Sequence, residues 1–194
     1  MEPELTPENV LCAYRLGIFP TADTDGEVYW CSPDPRCVLE FGRFRLPRSL
    51  RPIIRKRKFE IRVNTAFVEV IRACADRPEG TWILPEFIDV YTELHRRGYA
   101  HSIESWHAGE LAGGLYGVAL GGAFFGESMF HRVRDASKVA LAGLIERLKE
   151  RGFTLVDTQW STPHLERFGA IEIPRTEFLT RLDHALKHPC RFAD

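Results

Sequence analysis

Apolar and small residues dominate three runs between residues 100 and 130, "AHSIESW", "ELAGGLYGVAL" and "GAFFGESMF", separated by short steps at 107–109 and 121–122. Runs of this length, rich in Ile, Val, Tyr, Phe and Trp and joined by tight turns, predict an antiparallel meander. One position of the third run breaks the pattern. Glu127 sits alone inside the third apolar run, where a plain core strand has no use for a carboxylate. The glycines 113, 114, 117, 121, 122 and 126 punctuate the same stretch. They fit either a sheet splayed to admit a ligand or simple turn and bulge chemistry.

After the meander the period changes. Val139, Ala140, Leu144 and Leu148 fall on one face of a helix predicted over about 135–151. "FTLVDTQ" returns to a strand, Thr162 and Pro163 open a short helix closed by Gly169, "AIEI" is a strand, and 176–187 is a last helix. Toward the N-terminus, Thr6 caps a helix begun by Pro7, with Val10, Leu11 and Tyr14 on one face and Gly17 as its stop. "IFPTADTDGEVYWCSPDPR" reads as a loop too apolar to be only a linker. A basic helix follows over 47–58, begun by Pro47 and disturbed by Pro52, then the strand "FEIRV". A helix from Asn64 or Thr65 carries Phe67, Val70, Ile71 and Cys74 on one face, and another spans about 85–97. Antiparallel strands followed by helix, strand, helix, strand give an α+β class. The order is that of an acetyltransferase-like mixed sheet with flanking helices, here 64–194, preceded by a small N-terminal lobe, 1–63.

Composition narrows the class. The 194 residues are 44% hydrophobic and 27% charged, as in one globular domain or one domain with a small appendage. No apolar run approaches ~20 residues, and "MEPELTPENV" has no signal core, so a cytoplasmic protein without membrane partners is expected. The five cysteines are scattered with no C-x-x-C pair, which speaks for free thiols and against a zinc site. Charge is uneven. Residues 43–62 hold nine Arg or Lys and one Glu in a chain of net charge −1. Such a block is either a solvated face or a phosphate-contacting surface.

The motifs "AYRLGIFP", "SPDPR", "GTWI", "AHSIE", "GGLYGVALG", "GESMF", "ASKVAL", "DTQ" and "FGAIEIPR" occur in this order. Together they resemble the leucyl/phenylalanyl-tRNA–protein transferase family over nearly the whole chain. The resemblance implies transfer of Leu or Phe from Leu-tRNA or Phe-tRNA to acceptor proteins with an N-terminal Arg or Lys, which marks them for N-end-rule degradation. It implies an acetyltransferase-like catalytic domain with no metal, nucleotide or coenzyme, since the aminoacyl ester is already activated. A monomer is expected.

Carried onto matching positions, the resemblance makes Glu127, Gln159 and Asp157 the catalytic set. Glu127 would bind and position the cationic acceptor. Gln159 would accept a hydrogen bond from the attacking amine, with Asp157 orienting Gln159 from the same strand face. Leu115, Phe124, Leu141, Leu144, Leu148 and Val156 match positions lining the aminoacyl slot, although Leu141 and Val156 read equally well as plain core. Trp82 matches an adenosine-stacking position, with Tyr14 and Tyr91 as weaker candidates. Arg48, Arg51, Arg55, Lys56, Arg57 and Lys58 would grip the tRNA acceptor stem, and Arg132 and Lys138 its last phosphates. The chain departs from the family at Thr21 and Cys31, where aromatics are common, and many members carry a longer N-terminal segment.

Two other readings stay open. A CoA-dependent N-acyltransferase expects a glycine-rich pyrophosphate loop before the long helix, where this chain has "HRVRDASKVA". A non-catalytic RNA-binding module explains the basic block but not Glu127, Asp157 and Gln159.

Overall fold

The computed structural model describes residues 3–78 and 80–193. The chain runs α1 (Pro7–Arg15), β1 (Phe19–Ala22), β2 (Val28–Cys31), β3 (Arg36–Leu39), α2 (Leu50–Arg55), β4 (Glu60–Val63), α3 (Phe67–Ala75), α4 (Pro85–Arg96), β5 (Ala100–His107), β6 (Glu110–Leu120) and β7 (Ala123–His131). It continues through α5 (Ala136–Glu150), β8 (Leu155–Gln159), α6 (Pro163–Glu166), β9 (Ala170–Ile173) and α7 (Arg175–Leu186). Thr6 accepts a hydrogen bond from the Asn9 amide and Pro7 heads α1, as the sequence predicts. α3 begins later than expected. Asn64 is left-handed (φ 59°), and buried Glu104 takes the amides of Thr65 and Ala66 just before the helix.

The large sheet is mixed, with strand order β4-β5-β6-β7-β8-β3-β9. Only β7 and β8 run parallel, the pair that α5 connects. Alternation along the central strands sorts side chains to two layers. Leu115 and Phe124 face α5 and its Val139, Leu144 and Leu148. Tyr116 and Phe125, one residue on, join Val10, Tyr14, Val70, Phe87, Tyr91 and Phe178 from α1, α3, α4 and α7.

The segment read as a loop is more ordered than that. Residues 19–31 form a separate two-stranded hairpin, and β3 inserts into the main sheet between β8 and β9. β3 and β4 both belong to that sheet. The basic helix is also shorter than 47–58. α2 ends at Arg55, Pro52 sits in its first turn where no amide is needed, and left-handed Arg57 (φ 48°) stops it.

Candidate active site

Glu127 lies where two strand irregularities meet. Across β6 and β7, Tyr116 pairs with Ser128 and Gly117 with Gly126, so Glu127 is the extra residue of a bulge. Only glycine fits at 117, because a Cβ there would lie 2.2 Å from the Phe125 carbonyl oxygen. Pairing of β7 with β8 stops at Phe125–Asp157, just before the bulge. Beyond it the strands diverge, and a cavity of about 570 Å³ is lined by residues from both.

Three groups donate to the Glu127 carboxylate. Tyr14 Oη donates to Oε1 (2.6 Å), Tyr91 Oη to Oε2 (3.2 Å) and Gln159 Nε2 to Oε1 (3.3 Å). The two tyrosine hydroxyls also meet each other at 2.6 Å. Burial holds both phenols protonated well above their usual range, so they stay donors. Among the described residues no Lys or Arg forms an ion pair with Glu127. Burial raises its carboxyl to about 7, the nearby charge of Asp157 adding and the tyrosine hydrogen bonds opposing.

Gln159 closes the other side. It ends β8 in a left-handed conformation (φ 58°), at the centre of a tight turn in which the Trp160 amide bonds the Thr158 carbonyl (2.7 Å). For a non-glycine residue that conformation stores roughly 1–3 kcal/mol and marks functional sites more often than plain strand ends. The Asp157 carboxylate steadies the turn by accepting from the Gln159 amide (3.0 Å). Asp157 itself is fully buried and does not border the cavity; Arg36 grips it at 2.8 and 2.6 Å. Its hold on Gln159 therefore runs through the backbone, and the shared strand face expected of the two side chains gives way to the turn.

The rest of the cavity is mostly apolar. Of the residues named for the slot, Leu115, Leu141, Leu144 and Val156 border it, together with Met129 and Leu165. Phe124 and Leu148 do not. Phe124 pairs with Ala119 before the strands diverge and stacks on Phe192, and Leu148 sits fully buried further along α5. Trp82 reaches the cavity beside Thr21, Phe19 and half-exposed Trp160. Tyr14 is fully buried, so its ring offers no stacking face and its hydroxyl serves Glu127. Tyr91 is the same case. Tyr116 borders the cavity with a buried hydroxyl that has no partner among the described residues.

The family described as Leucyl/phenylalanyl-tRNA protein transferase matches residues 38–183, and its N-terminal domain matches residues 3–34. The chain belongs to this family. A Gloeobacter violaceus leucyl/phenylalanyl-tRNA–protein transferase is 57% identical over 97% of each chain. The Salinibacter ruber protein of the same name is 56% identical over 96% of this chain and 82% of its own. That of Herpetosiphon aurantiacus is 51% identical over 99% of this chain and 100% of its own.

Against this family background the expected cations separate into three places. Arg48, Arg51, Arg55, Lys56, Arg57 and Lys58 are all exposed, and among the described residues none pairs with an acid. They lie on α2 and on either side of it, and α2 packs on α5 through Leu50. Lys138 borders the cavity near Arg134, His131 and His164, paired to Asp135 at 2.7 Å. Arg132 lies at a different hollow, of about 520 Å³, with its guanidinium over Phe130 and donating to the Leu111 carbonyl. Arg36 and the paired tyrosine hydroxyls escaped the sequence reading. No role for Arg36 was read from the sequence, although it closes the motif "SPDPR" and heads the apolar run "CVL".

Proposed function

We propose that this chain transfers Leu or Phe from aminoacyl-tRNA to the α-amino group of acceptor proteins that begin with Arg or Lys, marking them for degradation. The observation that carries the reading is the junction of an apolar cavity with a half-buried carboxylate, Glu127, and the side-chain amide of Gln159, whose backbone is left-handed. Family membership supplies the substrate class. The element order around it, meander, α5 and parallel β8, supports an acetyltransferase-like fold. The reaction belongs to the cytoplasm, where aminoacyl-tRNA is made, with a monomer acting on one tRNA.

The aminoacyl side chain enters the slot of Leu115, Leu144 and Val156, and the terminal adenine stacks on Trp82. A slot of this kind excludes charged side chains but separates Leu from Phe weakly, since a methylene is worth about 1–3 kcal/mol. The acceptor's α-ammonium meets Glu127. A carboxyl titrating at about 7 is well matched to take a proton from an amine of pKa near ~8. The Gln159 carbonyl accepts a hydrogen bond from the amine and aims its lone pair at the ester carbon. The C–N bond forms, the bond from carbon to the ribose 3′-oxygen breaks, and that oxygen takes a proton from the neighbouring ribose 2′-hydroxyl, which in turn takes the proton that the attacking nitrogen gives up. Much of the rate comes from this alignment. The exposed cations on and around α2 hold the acceptor stem through its phosphates.

The test mixes the protein with radiolabelled Leu-tRNA and Phe-tRNA and substrate proteins beginning with Arg or Asp. Label on the Arg protein alone supports the reading, and label on neither, with tRNA still bound, moves the chain to the RNA-binding class. Reversing Arg55, Lys56 and Arg57 to Glu lowers the salt slope of tRNA binding by about 0.7–0.9 for each phosphate the protein no longer neutralises.

A further inference from the structure

Arg36 is fully buried yet does not line the cavity. Every prong of its guanidinium is engaged. Nε and Nη2 donate to the two oxygens of Asp157 at 2.8 and 2.6 Å, and Nη1 donates to the Gly17 carbonyl at 3.1 Å. The rings of Phe19 and Phe178 hold its plane at 4.7 and 4.5 Å. A buried ion pair of this kind adds little net stability over apolar residues of equal volume. What it does add is geometry, and the geometry leads to the cavity. Asp157 takes the Gln159 amide, and the turn so formed turns the Gln159 side chain onto Glu127. Without it a non-glycine residue relaxes to extended backbone. In an extended strand the side chains alternate, so the amide would leave Glu127.

We propose that Arg36 is a positioning residue of the transfer site, whose two-pronged grip on Asp157 fixes the turn at Gln159 and so holds its amide against Glu127. This rests on the transferase reading above. The charged and titratable groups around Glu127 are Tyr14 on α1, Tyr91 on α4, Tyr116 on β6, Asp157 on β8 and Arg36 on β3. Of these, Asp157 favours protonation of Glu127 and Arg36 opposes it.

The experiment compares wild type with Arg36→Met, Asp157→Asn and Arg36→Lys. Two quantities are read: the pH profile of single-turnover Leu transfer to an Arg-initiated peptide, and the ¹³C NMR titration of Glu127 in the protein without tRNA, assigned with Glu127→Gln. Arg36→Met is expected to lose about a hundredfold in maximal rate. Its KM for Leu-tRNA stays within about twofold, since binding contacts are untouched. Its Glu127 midpoint moves up, because Asp157 is left unopposed. Asp157→Asn leaves Arg36 unopposed and moves the midpoint down. Arg36→Lys keeps the charge without the fork, giving a near-wild-type midpoint and an intermediate rate. General loosening of the fold would instead move both midpoints the same way, and that result overturns the proposal, as does an Arg36→Met variant with wild-type rate and midpoint. Should Arg36→Met fail to fold, an Asp157→Asn midpoint at or above wild type overturns it. A wild-type protein that transfers no Leu rejects the transferase reading, while the NMR midpoints still decide the role of Arg36.

Discussion

Two acids stand on neighbouring strands, buried Asp157 on β8 and half-buried Glu127 on β7, and they are solvated in opposite ways. Asp157 has a guanidinium in two-point contact, with the aromatic faces of Phe19 and Phe178 closing over the cation. Glu127 has two phenols and an amide, and its carboxyl climbs to about 7. The first arrangement fixes a charge in place; the second leaves a charge free to come and go near neutral pH. The contrast assigns the work. The matched acid backs the site and shapes a turn, while the unmatched acid faces the cavity where an incoming cation can complete its shell.

Deleting the backing acid should show the largest effect. Asp157→Ala strips Arg36 of its partner inside the core and is expected to cost about 3–5 kcal/mol of stability, read by denaturant titration. A loss below about 1 kcal/mol would mean the pair is solvated and the contrast is false.

Glu127→Gln is the next step down, and the contrast predicts opposite signs for rate and stability. Transfer is expected to fall by about 10²–10⁴-fold, the usual range for a lost general base. Stability should rise at alkaline pH. The wild-type carboxyl goes from 4.5 to about 7 on folding, so the folded chain keeps a proton that the unfolded chain releases. Wild-type stability therefore declines as pH rises from 4.5 to 7 and stays low above, by on the order of 3 kcal/mol. The glutamine variant escapes that decline, so its advantage in thermal unfolding grows over this window and vanishes at pH 4.5. Equal stability of the two proteins at mildly alkaline pH would place Glu127 in a wetter site than the one described.

Much of this was legible from the chain and some of it was not, for reasons that differ by residue. The meander, α5 and β8 are long periodic segments, and period alone identifies them. Glu127 was legible because a buried charge is expensive, so an acid in an apolar run demands a reason. β1, β2 and β3 were not, since each has four residues between Pro, Asp and Gly, too few to show alternation. Arg36 reads as surface by residue type; only its tertiary partners make it core. The family resemblance puts Phe124 in the slot, but β7 and β8 separate only beyond the next residue pair, and strand separation is not written in any local pattern. Tyr14 reads as part of a helix face, and both Tyr14 and Tyr91 as stacking candidates; their hydroxyls, 77 residues apart along the chain, meet only after packing.

That meeting gives the smallest and most discriminating effect. Tyr14→Phe keeps the ring against Phe125, 4.6 Å between centroids, and removes only the hydroxyl that donates to Glu127. The loss of one such bond is worth about 1 kcal/mol, a rate change below about tenfold. Its direction in pH is the informative aspect. The Tyr14 hydrogen bond lowers the Glu127 carboxyl, so without it the carboxyl titrates still higher than about 7. The ascending limb of the transfer rate, which needs the ionised form, should then move to higher pH, with full activity recovered at the alkaline end. Tyr91→Phe should do the same more weakly, its contact being 3.2 Å against 2.6 Å. A limb that stays in place in both variants would assign the ascending ionisation to the acceptor's own amine and leave Glu127 as a fixed counter-charge, which is the role the contrast gives to Asp157.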